Sequence, residues 1–304
     1  MPIAASPCDY GEAAFEELIL KKLAIVTGGS KGIGERLVQS LLKDGPVLNI
    51  SRAPARPQAS AEHMHKLHNL CLDLSDIQSL EIELKSWLGS HPDFSVSLFV
   101  SNAATLNLGW LSDLSALNFQ TAFAINTHAP ISIASLLWKL DKFDRSGARI
   151  VYVTSSLGRS AVELSFAGIG LYSATKAALG RLATIQRREF SLAAPHITVT
   201  QVHPGIADTA MQADLRRHQA IDPAFAVKTA GLPYYKEGDW EDESPAKNMR
   251  TIPAQLAADF LLWISGLPGG ELENDYDFYA CELFHKRTRR QRPAQLRPVR
   301  EVRS

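Results

Sequence analysis

Two side chains four residues apart supply the most reactive pair in this sequence: the phenol of Tyr172 and the ammonium of Lys176, in Tyr172-Ser173-Ala174-Thr175-Lys176. On a helix that spacing puts both groups on one face. A phenol with a pKa of about 10 exchanges protons poorly near neutrality, and a neighbouring positive charge lowers that value. The pair therefore suits general acid–base work on an oxygen. Y-x-x-x-K is common by itself; its weight comes from following the fifth strand-like run, where the strand ends of a parallel sheet face a ligand crevice.

A second cluster lies near the start of the chain. Thr27-Gly28-Gly29-Ser30-Lys31-Gly32-Ile33-Gly34 joins an apolar run to a helical pattern. Glycines let a backbone approach a pyrophosphate closely, and the helix start offers free N–H groups and the positive dipole end. The spacing is T-G-x-x-x-G-x-G rather than G-x-G-x-x-G.

The elements that must hold these groups alternate along the chain. Apolar runs at 23–27, 47–50, 96–101, 149–155 and 197–202 read as strands buried on both faces. Helical patterns separate them. Over 76–88, Ser75 is the expected N-cap, Leu80, Leu84 and Trp87/Leu88 the apolar stripe, and Gly89 the stop. A longer helix is expected over 119–140, where Pro130 must kink it or sit where neighbours absorb the lost bond. Another covers 254–265, and a last strand lies near 276–281. This order predicts an α/β fold, a parallel sheet with helices on both faces.

Composition narrows the class. The 304 residues are 45% hydrophobic and 21% charged, as in an ordinary chain able to bury a full core. Cys8, Cys71 and Cys281 form no C-x-x-C pair, so neither a disulfide framework nor a zinc knuckle is expected, and Cys71 reads as a buried strand residue. No apolar run approaches membrane length, and Glu12, Glu16 and Glu17 stand where a signal peptide would carry positive charge. The expectation is a soluble, cytoplasmic protein without metal. His63, His65 and His68 cluster, but no carboxylate or cysteine recurs beside them at ligand spacing. The 32 Lys+Arg balance 32 Asp+Glu, yet eight basic residues against Glu301 fall between Lys286 and Arg303, leaving the rest acidic. The expected organisation is an extension over 1–20, a single catalytic domain over 21–285, and a basic, disordered tail over 286–304. Residues 206–250, with weak periodicity, read as a long substrate lid. Trp110, Phe166, Tyr234, Tyr235 and Trp240 flank the expected crevice and would shape an aromatic pocket or simply anchor its loops.

Thr27-Gly28-x-x-x-Gly32-Ile33-Gly34 together with the Tyr172/Lys176 pair resembles the short-chain dehydrogenase/reductase family, over roughly residues 23–283. The resemblance implies a Rossmann-type doubly wound sheet of about seven strands binding NAD(H) or NADP(H). Ser51 and Arg52 end the second strand, and Lys31 lies in the glycine turn; this resembles members that prefer NADP(H), since Arg grips a phosphate in bidentate fashion. Asp73 and Leu74 resemble the adenine contacts at the third strand's end. Ser101-Asn102-Ala103-Ala104 resembles the family's N-N-A-G, with Ala104 replacing glycine. Pro204, Gly205, Ile206 and Thr209 match the motif that meets the nicotinamide carboxamide. Asp208-Thr209-Ala210-Met211-Gln212 resembles the sepiapterin-reductase and fungal benzil-reductase branch.

By the same resemblance Tyr172 donates a proton to a carbonyl oxygen, Lys176 lowers the phenol's pKa and holds ribose hydroxyls, and Asn126 holds a water leading to Lys176. The substrate-holding serine is expected at Ser156. It stands sixteen residues before Tyr172, where the family spacing is about thirteen, and Ser160, twelve residues before, competes for the role. The implied activity is NADPH-dependent reduction of a ketone or aldehyde, aromatic or dicarbonyl, by a homodimer or homotetramer, with no nucleic-acid or membrane partner. The alternative is a catalytically silent NADP(H)-binding regulatory or scaffold protein on the same fold.

Overall fold

A computed structural model describes residues 20–159, 164–236, 239 and 245–290. Seven parallel strands form one sheet in the order β3-β2-β1-β4-β5-β6-β9: β1 (Lys21–Thr27), β2 (Val47–Ser51), β3 (Leu67–Cys71), β4 (Phe94–Ser101), β5 (Ala148–Val153), β6 (Ile197–His203) and β9 (Asp275–Asp277). Side chains alternate across β1. Leu23 and Ile25 join a core with α3 (Ile77–Ser90), α5 (Ala129–Lys139) and α6 (Gly170–Ala193). Ala24 and Val26 join the opposite core, with α1 (Gly32–Leu41) and α9 (Ala254–Ser265). Covering both faces is why the strands read as unbroken apolar runs. The strand order reverses between β1 and β4, opening a crevice at their carboxyl ends.

Several boundaries differ from the sequence expectation. Asp76, not Ser75, caps α3, accepting from Ser79 N at 3.0 Å, while Ser75 donates to Asp73; the helix runs through Gly89 to Ser90. The helix expected over 119–140 is α4 (Ala116–Phe123), a π-turn (Ala124–His128) and α5. The π-turn brings the chain to Pro130, which has no N–H for an i→i−4 bond, without breaking the helix, and it carries Asn126. Cys71 is exposed, because β3 is an edge strand.

The stretch over 206–250 is not a structureless loop. Its described part holds β7 (Ala207–Asp208), α7 (Ala210–Arg217) and α8 (Pro223–Ala230), and β7 pairs with β8 (Ile252–Pro253). Residues 286–290, basic but for Thr288, are the end of α10 (Glu282–Arg290) rather than part of a disordered tail. Phe284 anchors that helix against Phe260 and Phe278, 5.0 and 5.9 Å between centroids, and His285 is buried beside it. Residues 1–19 and 291–304, and with them most of the extension and the tail, lie outside the described residues.

Candidate active site

The glycine turn after β1 is built for close approach. Gly28 has φ 72°, and a Cβ there would lie 2.9 Å from Ala103 Cα; one on Gly34 would strike the Gly28 carbonyl. A Cβ on Gly32, at φ 60°, would lie 3.3 Å from Thr209 Cγ2, so the segment after β6 closes over the turn. Lys31 stands at the N-cap of α1 without a side-chain cap bond, leaving the helix's first N–H groups to whatever lies in the crevice. Ser30 is half-buried beside it, and Ile33 packs back onto the core. A dinucleotide's phosphates fit this cradle of bare backbone.

The floor of the crevice is braced from within. Thr27 is buried, and its hydroxyl accepts from the amides of Asn102 and Ala103 at 3.1 Å each. Asn102 Nδ2 donates to the Thr27 carbonyl at 3.1 Å. Beneath Gly29 lies Asn49, a residue the sequence reading passed over, whose Oδ1 accepts the Gly29 N–H at 2.8 Å.

The strand-end residues expected to meet the adenosine are arranged unequally. Arg52 and Lys31 are exposed. Ser51 is buried, and its hydroxyl is committed to the Ala53 carbonyl at 2.6 Å. Asp73 accepts from the Ser75 amide and hydroxyl, which hold its carboxyl below the usual range, with Arg52 nearby contributing. Leu74 is core.

Beyond β5 the reactive side chains converge. Tyr172 and Lys176 share the first turns of α6, nearly buried at 8% and 3% exposure. Lys176 Nζ donates to the Val153 carbonyl at 2.7 Å and lies 5.9 Å from the Tyr172 ring centroid. The hydroxyl that faces the Tyr172 phenol and draws its pKa down is that of Ser155, the neighbour of the expected Ser156. Strand β5 ends at Val153, and Ser155 caps the turn Ser156–Gly158, accepting from Leu157 N. Gly158 seats that turn on α6: a Cβ there would lie 2.8 Å from Ala177 N. Adjacent serines have the same chemistry, so only this seating decides which one faces the tyrosine. Ser160 lies outside the described residues.

The electrostatics also depart from expectation. Burial pushes the Tyr172 phenol up to about 12, with the Ser155 hydrogen bond pulling the other way, and pushes the Lys176 ammonium down to about 8. For the phenol, desolvation by burial leads, in place of the lowering expected from the ammonium.

Asn126 is fully buried, and its side chain is saturated by protein. Nδ2 donates to the Thr105 carbonyl and Thr175 Oγ1, both at 3.0 Å, and Oδ1 accepts from Thr105 N at 2.8 Å. Thr175 Oγ1 in turn donates to the Tyr172 carbonyl at 2.7 Å. The amide thus ties the chain after β4 to the turn of α6 that carries the tyrosine.

After β6, Gly205 has φ 83° and sits against Ile252 and Phe278, while Ile206 N donates to the Tyr279 hydroxyl at 3.1 Å. Pro204 is half-buried between them and His203. His203 pairs with Asp275 at 2.8 Å, and Arg159 bridges Asp275 and Asp277.

Over the crevice, Ile169, Leu215, Ile221 and Phe225 form an apolar cluster joined by Leu106, Leu108, Leu157 and Phe166. Phe166 meets Phe225 at 4.9 Å, Asp222 N donates to the Ala167 carbonyl, and Gly109 N to the Gly168 carbonyl. Two amide oxygens bordering this cluster, Asn107 Oδ1 and Gln212 Oε1, are buried without a hydrogen-bond partner among the described residues. Trp110 and Tyr234 are exposed, and Trp240 lies outside the described residues. His63 faces Ser60, and among the described residues no three His, Cys, Asp or Glu side chains gather as a metal cluster would.

Comparison with known proteins agrees with this geometry. Residues 22–220 match the family model described as short chain dehydrogenase. A benzil reductase ((S)-benzoin forming) of Bacillus cereus is 26% identical over 221 residues, 69% of this chain and 87% of that protein. Human L-xylulose reductase is 30% identical over 199 residues, 64% and 76% of the two chains. Among solved structures, a short chain dehydrogenase from Burkholderia cenocepacia in complex with NADP superposes with a TM-score of 0.61 at 22% identity, covering 84% of this chain and 94% of that one. L-sorbose reductase from Gluconobacter frateurii, complexed with NADPH and L-sorbose, gives 0.62 at 18% identity, covering 85% and 95%.

Proposed function

The chain belongs to the short-chain dehydrogenase family, and from that premise we propose that it is an NADPH-dependent carbonyl reductase with Tyr172 as its general acid. The observation that carries this reading is the convergence of Tyr172, Lys176 and Ser155 at the crevice end of the sheet, beside a glycine cradle. When bound, the reduced nicotinamide supplies a hydride for the carbonyl carbon. The protein's part is to hold and move a proton. Ser155 and the Tyr172 phenol grip the carbonyl oxygen, and the phenol passes its proton to that oxygen as negative charge builds there. A phenol held at about 12 stays protonated across the physiological range, as an acid must. Lys176 is fixed by the Val153 carbonyl next to the phenol. Protonated, it stabilises the phenolate left after transfer and holds the ribose hydroxyls. Asn126 acts as a brace through Thr105 and Thr175.

Arg52 and Lys31, exposed at the adenosine end, support a preference for the 2′-phosphate. The apolar cluster over the crevice suits a ketone or aldehyde with an apolar or aromatic body, as benzil offers the Bacillus relative. The unpartnered oxygens of Asn107 and Gln212 suit a ligand that also brings an N–H or O–H donor. Exposed Phe119 and Phe123 on α4, with Leu182 and Ile185 on α6, support self-association through those helices.

The test is NADPH consumption against a panel of aromatic diketones, aromatic aldehydes and sugar ketones, with Tyr172→Phe as control. Turnover that vanishes in the variant supports the reading. Tight NADPH binding with no turnover across the panel would favour a silent binding protein.

A further inference from the structure

We propose that Asn49 is a specificity-determining positioning residue: it couples the pyrophosphate turn to the segment presenting Arg52, so that discrimination for the adenosine 2′-phosphate is set from inside strand β2. The inference rests on the proposed use of NADP(H).

Asn49 is the middle residue of β2 and is 0% exposed, at a position where a strand covered on both faces ordinarily carries an apolar side chain. A buried amide is costly unless its donors and acceptor are met. Here they are met by three different segments. Oδ1 accepts the Gly29 N–H of the glycine turn at 2.8 Å. Nδ2 donates to Ser51 Oγ at 2.9 Å and to Asn69 Oδ1 at 2.9 Å. Asn69 is the register partner of Asn49 on β3.

Each second contact leads to the backbone around Arg52. Ser51 Oγ donates to the Ala53 carbonyl at 2.6 Å, closing the turn on which Arg52 stands. Asn69 Oδ1 also accepts from Ala55 N at 2.8 Å, pinning the chain three residues further on. Arg52 is exposed, but the backbone on both sides of it is held by one hydrogen-bonded group with Asn49 at its centre. The coupling to the glycine turn is equally tight, since a Cβ on Gly29 would lie 2.6 Å from Asn49 Oδ1. A guanidinium on a loose loop attracts any phosphate; one on a fixed loop grips a particular one, because bidentate recognition depends on geometry.

The two arms of the network can be cut separately. Binding of NADPH and of NADH is measured by the fluorescence of the reduced nicotinamide, which needs no substrate, and thermal melts confirm that each variant folds. Asn69→Ala, at an exposed position on the edge strand, removes the link to Ala55 and leaves the Gly29 and Ser51 contacts of Asn49 in place. It is expected to weaken NADPH roughly tenfold while NADH stays within about twofold. Asn49→Ala cuts both arms and weakens both cofactors, NADPH more. Asn49→Asp keeps an acceptor for Gly29 but no donors, so it restores NADH binding and leaves NADPH weak. A NADPH/NADH affinity ratio unmoved by Asn69→Ala and Asn49→Ala, whether both affinities fall together or neither changes, overturns the coupling. A wild-type protein that binds NADH more tightly than NADPH overturns the NADP(H) reading instead.

Discussion

The two halves of the crevice are built on opposite principles. On the cofactor half, the polar side chains that brace the loops after β1, β2 and β4 are satisfied by the protein itself: Thr27 takes two amides, Asn102 braces two carbonyls, and Asn49 uses both ends of its amide. On the substrate half, over β5 and β6, the walls are apolar, two amide oxygens lack partners among the described residues, and a buried phenol and ammonium both lean toward their neutral forms. A closed polar network fixes shape before binding, whereas open acceptors and desolvated titratable groups leave energy to be recovered when a ligand completes them. In the proposed reading, the first half recognises a constant partner and the second a reacting one.

The contrast can be broken most sharply at Tyr172. Tyr172→Phe should lower kcat by about a thousandfold while NADPH affinity changes little. A comparable loss of NADPH binding would mean that the phenol serves the cofactor half. Next in size is the serine pair: Ser155→Ala should cost roughly a hundredfold in kcat/KM, and Ser156→Ala less than about threefold. The reverse ranking would return the role to Ser156. On the cofactor side, Arg52→Asp should weaken NADPH by about ten- to a hundredfold and leave NADH nearly unchanged, as titration of each cofactor would show.

A smaller effect concerns stability. Lys176 in the folded protein has its pKa lowered to about 8, from 10.5. Between those values the unfolded chain binds more protons than the folded one, so folding stability rises with pH through that window. Relative to Lys176→Met, the wild type should gain about 3 kcal/mol between pH 8 and 10.5 in chemical denaturation. A pH-independent difference would mean that the ammonium is not desolvated. Smallest is the effect of loosening the lid: Phe225→Ala should raise KM for an aromatic ketone several-fold through lost contact with Phe166, with NADPH affinity unaltered.

What could be read in advance follows the range of the interactions. The glycine turn and the Tyr172/Lys176 pair depend on spacing within one turn or one helix, so residue order alone places them. The two cores follow from strand alternation, and α9 lies where its periodicity put it. Pro130 announced an irregularity, but that it becomes a π-turn holding Asn126 depends on Thr105 and Thr175 from other elements. The basic end of the chain hid a helix because its anchors, Phe284 and His285, are buried against Phe260 of α9 and Phe278 just after β9, residues distant in the pattern.

Sequence by itself determined the class of chemistry: a phenol and an ammonium on one helix face, a bare-backbone cradle for phosphates, and strands buried on both sides. Tertiary structure alone decided which of two adjacent serines meets the phenol, where Gly158 can seat against α6. It also decided that burial raises the phenol rather than the ammonium lowering it, and that Asn49 is a junction rather than a misplaced polar residue. Direction, burial and partnership of a side chain are properties of the surfaces packed around it, and those come from residues far away in the chain.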